Sequence, residues 1–494
     1  MSYRRYLCRV VEGSRIELEK LPRYCDAASP GRGYRIVRDA FNAMYSAVTG
    51  FVKSFESRVS RSLFGFRIRI DSPPPRIVGD RLLTGFWTGV FEYGAEDGFV
   101  RIAVVPRLRN YGKMVRAVDE FLASISWHFY LVSRISVAAS ATASLHPIFQ
   151  RLLLELNRLL LYEPRRICRY VEGVGGPRIL LSGFGTGGEP LYTVLRHVCN
   201  PNKALLTALV LAARGLARAL QTVERVAMEI VQDVRGLGGD DRVWQLQTLV
   251  ESYVSGLRRA LGAILGDEVM QQALSVVDVD LEGVDRYPTV FAAIKRLERG
   301  AVYTQPVAGG EEARFLLFPS TKLYELYVYA NILRALTSRG GYTYVEPLAV
   351  DIDVDGRKVK AYFNYVEPPM SRFIRPLIRA LPTPDIVLSS NSKAVVVDAK
   401  YRRISGRDAK GVRLTLGDAE RLAAYIFDIA RDAKLLAAVV ALEKPREEVV
   451  NNVKRAIKPI DTKEIGVEFL ELNPDSEEDP EKQLKPLIDY LTGS

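Results

Sequence analysis

Apolar positions along the chain change period several times, and each change marks an element. From 82 to 108 the run LLTGFWTGVFEYGAEDGFVRIAVVPRL has two apolar and aromatic stretches around Gly94-Ala95-Glu96-Asp97-Gly98, which predicts a β-hairpin. Pro73-Pro74-Pro75 ahead of it marks a stiff loop, and 60–110 as a whole reads as β-rich. A helical period resumes at 112–135. In HPIFQRLLLELNRLLLY (146–162) Leu recurs at three- and four-residue spacing, as on an amphipathic helix. The Gly- and Pro-rich stretch 173–190 reads as a loop, and long helical patterns occupy about 202–235 and 241–273.

From 315 onward the pattern alternates. A helix at 320–338 leads into strands near 342–365, then DIVL (385–388) and AVVVDA (394–399). A helix at 417–431 and an apolar strand at 435–442 follow. Such alternation predicts an α/β domain with a central mixed sheet. The segment NPDSEEDPEKQ (473–483) reads as mobile. The expected fold class is α+β and multidomain. A β-rich N-terminal domain (1–135) precedes a helical middle (136–300), an α/β domain (301–470) and an acidic tail (471–494).

Composition narrows the class. The 494 residues are 48% hydrophobic and 26% charged, which is globular and excludes disorder along most of the chain. MSYRRYLCRV at the start carries charge but no apolar h-region, so no secretory signal is visible. The most apolar helical stretch, 204–220, is broken by Arg214 and Arg218 and does not read as a membrane span. The expectation is a soluble, cytoplasmic protein. Abundant Arg, Tyr and Val with few His and Gln lean towards a thermophile.

Charge adds a partner class. The formal net charge is +11, yet residues 461–494 hold ten acidic and three basic residues. The remaining body is therefore strongly basic, which suggests a polyanionic partner, nucleic acid first. Cys8, Cys25, Cys168 and Cys199 form no CxxC, which argues against a zinc ribbon or Fe–S cluster. They read as buried thiols, with a disulfide as the minority alternative.

Absent motifs remove other classes. There is no GxxxxGK[ST], hence no P-loop NTPase, and SGFGTGGEP (182–190) has no Lys-Ser/Thr end. The three histidines are His128, His146 and His197, so the C-terminal half has neither His nor Cys. A metal site there must use oxygen ligands, which favours Mg²⁺, Mn²⁺ or Ca²⁺. Asp351-Ile-Asp353-Val-Asp355-Gly356 begins like a calcium loop, but Tyr362 stands where the bidentate Glu belongs. Two strands joined by an Asp355-Gly356 turn suit it better.

The chemistry concentrates in TPDIVLSSNSKAVVVDAKYRR (383–403). Asp385 starts one strand, and Asp398 and Lys400 end the next. An antiparallel pair of that length brings Asp385 to the Asp398–Lys400 end. Asp398 and Lys400, two apart, share a face. Two carboxylates beside an ammonium suit metal-assisted phosphodiester hydrolysis. Asp385, Asp398 and the Ala399 carbonyl would hold Mg²⁺ (or Mn²⁺), and Lys400 would orient water and offset developing charge. This is the PD-(D/E)xK pattern of the restriction-endonuclease-like superfamily. Glu325, off the Leu323/Leu326/Ala330/Leu333 stripe of the upstream helix, is expected to complete the metal site. The structural alternatives are a proline-turn Asp385, a cross-strand Asp398–Lys400 ion pair and a solvated Glu325.

Arg402, Arg403, Arg407, Lys410 and Arg413 follow with Asp408 the lone acid, and Gly406 and Gly411 make the segment adaptable. Such a basic loop beside the metal would track a DNA backbone. Arg421 and Tyr425 sit where related nucleases have Gln-x-x-x-Tyr. Arg421 cannot accept a hydrogen bond as Gln can.

Segments outside the core add a family resemblance. Gly89-Val90-Phe91 with Ile102-Ala-Val104-Val105-Pro106-Arg107, the start of the helix at Asn202-Lys203, and Asp418-Ala-Glu-Arg421-Leu-Ala-Ala-Tyr425 together resemble McrC. McrC is the nuclease subunit family of McrBC modification-dependent restriction systems. Arg107, Glu420 and Arg421 depart from its pattern. The resemblance spans about 89–425. It implies a DNA endonuclease that serves a separate McrB-like AAA+ GTPase ring, with an N-terminal part docking into that ring. The 82–108 hairpin is then a candidate docking element, or else an ordinary core hairpin. One metal site per chain cuts one strand, so pairing of two nuclease domains is expected for double-strand cleavage. The alternatives are a stand-alone nuclease of the same fold in repair or defence, and a non-catalytic adaptor for DNA or a ring.

Overall fold

The structure is a computed structural model. It describes residues 4–25, 32–54, 56, 70, 72–95, 98–125, 166–172, 178–184, 190–201, 203–235, 241–266, 270–271, 275, 287–288, 290, 305–307, 311–346, 349–364, 384–390, 393–401, 434–443 and 465–493. Two compact units result: 1–146 with 223–260 and 303–494, and 147–222 with 261–302. The two ends of the chain share the larger unit.

In the larger unit the expected hairpin is present. Strands β5 (Trp87–Ala95) and β6 (Gly98–Val105) pair antiparallel, from Gly89 opposite Val104 to Ala95 opposite Gly98. Both strands are interior to a five-stranded sheet. Strand β1 (Arg4–Val11) runs parallel to β6, and β11 (Glu311–Pro319) pairs antiparallel with β5 and with β10 (Gln305–Val307). Trp87, Phe91 and Ile102 are fully buried. The body of the hairpin therefore belongs to the sheet core, because its backbone groups are paired on both sides. Its tip, 96–97, lies outside the described residues.

A small sheet of β2 (Arg15–Glu17), β3 (Arg76–Val78) and β4 (Arg81–Leu83) adjoins. The β-rich N-terminal expectation missed a helix, α1 (Arg32–Ser54), whose Val37, Phe41, Met44 and Val48 are buried at helical spacing. Helix α2 (Tyr111–Ile125) begins as expected. Cys8 and Cys25 form a disulfide rather than the buried thiols expected.

The C-terminal part of this unit holds the expected mixed sheet. It has seven strands in sequence order: β12 (Gly340–Glu346), β13 (Ala349–Val354), β14 (Arg357–Phe363), β15 (Ile386–Ser390), β16 (Lys393–Lys400), β17 (Lys434–Ala441) and β18 (Ile465–Glu471). Pairing is antiparallel as far as β16, then parallel from β16 to β18. The unbroken apolar runs of β16 and β17 fit strands covered on both faces. Asp355 and Gly356 both have positive φ (51° and 76°), as the two-residue turn between β13 and β14 requires. Helix α5 (Ser320–Thr337) is buried on nearly every face.

The tail is ordered where described. Helix α6 (Pro480–Thr492) starts at Asp479, whose carboxylate accepts from the Glu481 N–H at 3.0 Å. Gly493 closes it in the left-handed conformation, and Leu484, Leu487, Ile488 and Leu491 are buried. Asp475 accepts from the Asn110 N–H at 2.6 Å and the Arg109 N–H at 3.2 Å, just ahead of α2. The apolar face of α6 overrides the acidic composition that suggested mobility.

The middle of the chain is not wholly helical. In the smaller unit β7 (Arg166–Glu172), β9 (Pro190–Pro201) and β8 (Arg178–Phe184) form an antiparallel sheet in that order. Part of the stretch expected to be a loop is thus strand β8, where pairing with β9 outweighs weak local propensity. The two long helices are α3 (Lys203–Arg235) and α4 (Asp241–Leu265), close to their expected positions. The helix expected at 146–162 lies outside the described residues.

Candidate active site

A strand, a turn and a strand assemble the site. Ile386 on β15 lies opposite Val397 on β16, so the next step of the register sets Asp385 opposite Asp398. The Ala399 N–H donates to Asp385 Oδ2 at 2.7 Å. The Lys400 ammonium reaches Asp398 Oδ1 at 2.6 Å, and Asp398 is buried. Asp385, Asp398 and Lys400 therefore converge at one end of the sheet, and the Asp398–Lys400 ion pair runs along one strand rather than across two.

Glu325 joins them from α5. It is buried, which removes the solvated-face alternative. Its carboxylate pairs with the ammonium of Lys322, one turn earlier. Lys322 also donates to Asn364 Oδ1 at 2.6 Å. Asn364, with φ of 49°, donates from its backbone to the Asp385 carbonyl at 2.8 Å. Its side-chain amide donates to the same carbonyl at 3.1 Å and to Glu325 Oε2 at 3.3 Å. One asparagine thus braces both carboxylate-bearing segments.

Lys322 and Asn364 belong to no motif in the sequence. Lys322 had a signal: a lysine three residues before Glu325, in an otherwise largely apolar helix. Asn364 had only the tolerance of asparagine for left-handed backbone at a strand end.

The electrostatics centre on Asp385. Loss of water raises its carboxyl well above the ordinary value, and Glu325 and then Asp398 add repulsion. Lys400 and Lys322 pull it back down. Three carboxylates crowding one another are relieved by a cation, and carboxylate and carbonyl oxygens suit a hard divalent ion. Among the described residues no three His, Cys, Asp or Glu side chains form a closed metal-binding group. Asp398 and Glu325 are engaged by lysines instead. Oxygen donors of this kind match the preference of Mg²⁺.

Tyr401, directly after Lys400, ties the end of β16 to the N-terminal sheet. Its carbonyl accepts from Arg107 Nη2 at 2.8 Å, and the Arg107 guanidinium lies 4.7 Å from its ring centroid. The expected DNA-contacting residues Arg402, Arg403, Arg407, Lys410 and Arg413 lie outside the described residues, as do Arg421 and Tyr425. Among the described residues no helix is long and apolar enough to cross a membrane.

No protein-family model matches the chain, and no curated protein matches it. Among solved structures, one match is a chain from an assembly of Thermococcus gammatolerans McrB AAA+ hexamers with bound McrC. It is 13% identical, covers 98% of this chain and 99% of its own length, and has a TM-score of 0.33. A likeness of that size carries no argument about fold, activity or partners.

Proposed function

We propose that the chain is a Mg²⁺-dependent DNA endonuclease subunit of a McrBC-like system, working with an AAA+ GTPase partner. The observation that supports it most is the convergence of Asp385, Asp398 and Lys400 across β15 and β16, with the Ala399 N–H fixing the Asp385 carboxylate. A bound Mg²⁺ would supply Lewis-acid stabilisation of the phosphate and an activated water. Asp385 and Asp398 would hold it. Lys400, anchored by Asp398, would offset charge that develops on the phosphate. The basic segment after Tyr401 would follow the DNA backbone. The partner rests on the sequence resemblance, with the lack of a P-loop in this chain as support.

The test has two stages. The tagged chain is drawn from its native lysate with nucleotide present, and bound proteins are identified by mass spectrometry. The purified chain is then given plasmid DNA and Mg²⁺, with and without the recovered partner. Cleavage that needs an AAA+ partner supports the proposal. Efficient cleavage by the chain alone points to a stand-alone nuclease. No cleavage under either condition, with Mg²⁺ or Mn²⁺, overturns the nuclease reading.

A further inference from the structure

The pairing of Lys322 with Glu325 bears on how many metal ions the proposed site would take. Three carboxylates, Glu325, Asp385 and Asp398, stand against two ammoniums, Lys322 and Lys400, a formal shortage of one positive charge. One divalent ion reverses that to a surplus of one, which a phosphodiester monoanion neutralises. A second ion would leave surplus positive charge in a largely buried site even with phosphate bound, which is costly. Glu325 is also committed. Its carboxylate meets the Lys322 ammonium and the Asn364 amide, and both residues of the ion pair are buried. Lys322 is further seated by Asn364 Oδ1 at 2.6 Å and lies 5.8 Å from the Phe363 ring centroid.

We infer that Lys322 is a built-in second cation, so that the site takes one divalent ion and Glu325 anchors Lys322 rather than the metal. This inference rests on the nuclease reading above and departs from the sequence expectation that Glu325 is a metal ligand. Lys322 is in this view a positioning residue. Its fixed charge answers the Glu325 carboxylate without the cost of capturing an ion from solution.

The test is a calorimetric titration of the full chain with Mn²⁺ alone, without DNA. The wild type should bind one ion per chain. The double variant Lys322→Met with Glu325→Gln removes the pair together and leaves the formal charge unchanged. It should still bind one ion, with affinity within about threefold of wild type. Lys322→Met alone frees the Glu325 carboxylate and should bind a second ion, or one ion at least about tenfold more tightly. Should that variant fail to fold, because it leaves a buried carboxylate unpaired, the double variant still decides the matter. Two ions on the wild type would overturn the inference, as would a tenfold or greater loss of affinity in the double variant. No Mn²⁺ bound by the folded wild type would overturn the metal-nuclease reading itself.

Discussion

The hydroxyl of Tyr401 donates a hydrogen bond to the carboxylate of Glu12, 389 residues earlier in the chain. Glu12 follows β1, and Tyr401 follows the lysine that ends β16. The same carboxylate accepts from Ser320 Oγ at 2.6 Å, Thr88 Oγ1 at 3.0 Å and the Arg107 N–H at 3.1 Å. One buried acid therefore fastens the end of the Lys400 strand and the start of the Glu325 helix to the N-terminal sheet. Burial, and then the Glu12 charge, hold the Tyr401 hydroxyl well above its ordinary pKa, so it remains a donor.

Breaking this cluster should cost stability and site geometry together. Tyr401→Phe removes one donor from a buried carboxylate and should destabilise by about 1–3 kcal/mol. Glu12→Ala strands several donors at once and should cost more. Denaturant unfolding of each variant measures this. A Glu12→Ala protein as stable as wild type would show the cluster to be dispensable.

Asp398→Ala should lower plasmid cleavage by at least about 100-fold, the scale of losing a positioned electrostatic group. Folding should persist, because the Val395–Val397 core of β16 is untouched. Circular dichroism and the partner pull-down check the fold, and a gel assay checks the activity. Normal cutting by this variant would sink the assigned site.

The raised Asp385 carboxyl gives the metal-free protein a pH dependence of definite sign. The native state holds the proton more tightly than the unfolded chain does. The unfolded state therefore binds fewer protons between the two pKa values, and stability falls as pH rises through that window. The contribution is full below the ordinary carboxylate value and lost above the raised one. Denaturation midpoints in EDTA should decline as pH rises above the ordinary carboxylate range, and Asp385→Asn should flatten the decline. Metal binding should release a proton and tighten with pH. A wild-type profile parallel to that of Asp385→Asn would count against the crowding described.

The Cys8–Cys25 bridge joins cysteines 17 apart in sequence. Closing a loop of that size contributes about 3 kcal/mol, so Cys25→Ser should lower the unfolding free energy by roughly that much. A reductant should reproduce the loss in the wild type and leave the variant unchanged. Equal stability of the two proteins under oxidising conditions would refute the prediction.

Arg402 and Arg403, both changed to Ala, should weaken DNA binding and reduce the slope of log affinity against log salt by about 2 for duplex DNA. Fluorescence anisotropy across a salt series measures it. An unchanged slope would put the DNA path elsewhere.

What the sequence determined by itself lies close together along the chain. The two strands around 385–400 are joined by a short turn, so apolar runs and a register of a few residues already bring Asp385 to Asp398 and Lys400. The same locality made the 87–105 hairpin and the long helices legible, since alternation and helical spacing report each element's own burial. Tertiary structure alone decided the rest. Strand β11 pairs with β5 more than two hundred residues away, and that pairing makes the docking-finger candidate an interior part of a sheet. Glu12 meets Tyr401 only because two sheets are packed in one unit. Glu325 finds Lys322 rather than solvent because α5 is buried all round. Backbone pairing and buried charge are satisfied by whatever the fold brings near, and a partner hundreds of residues away leaves no period in the local sequence.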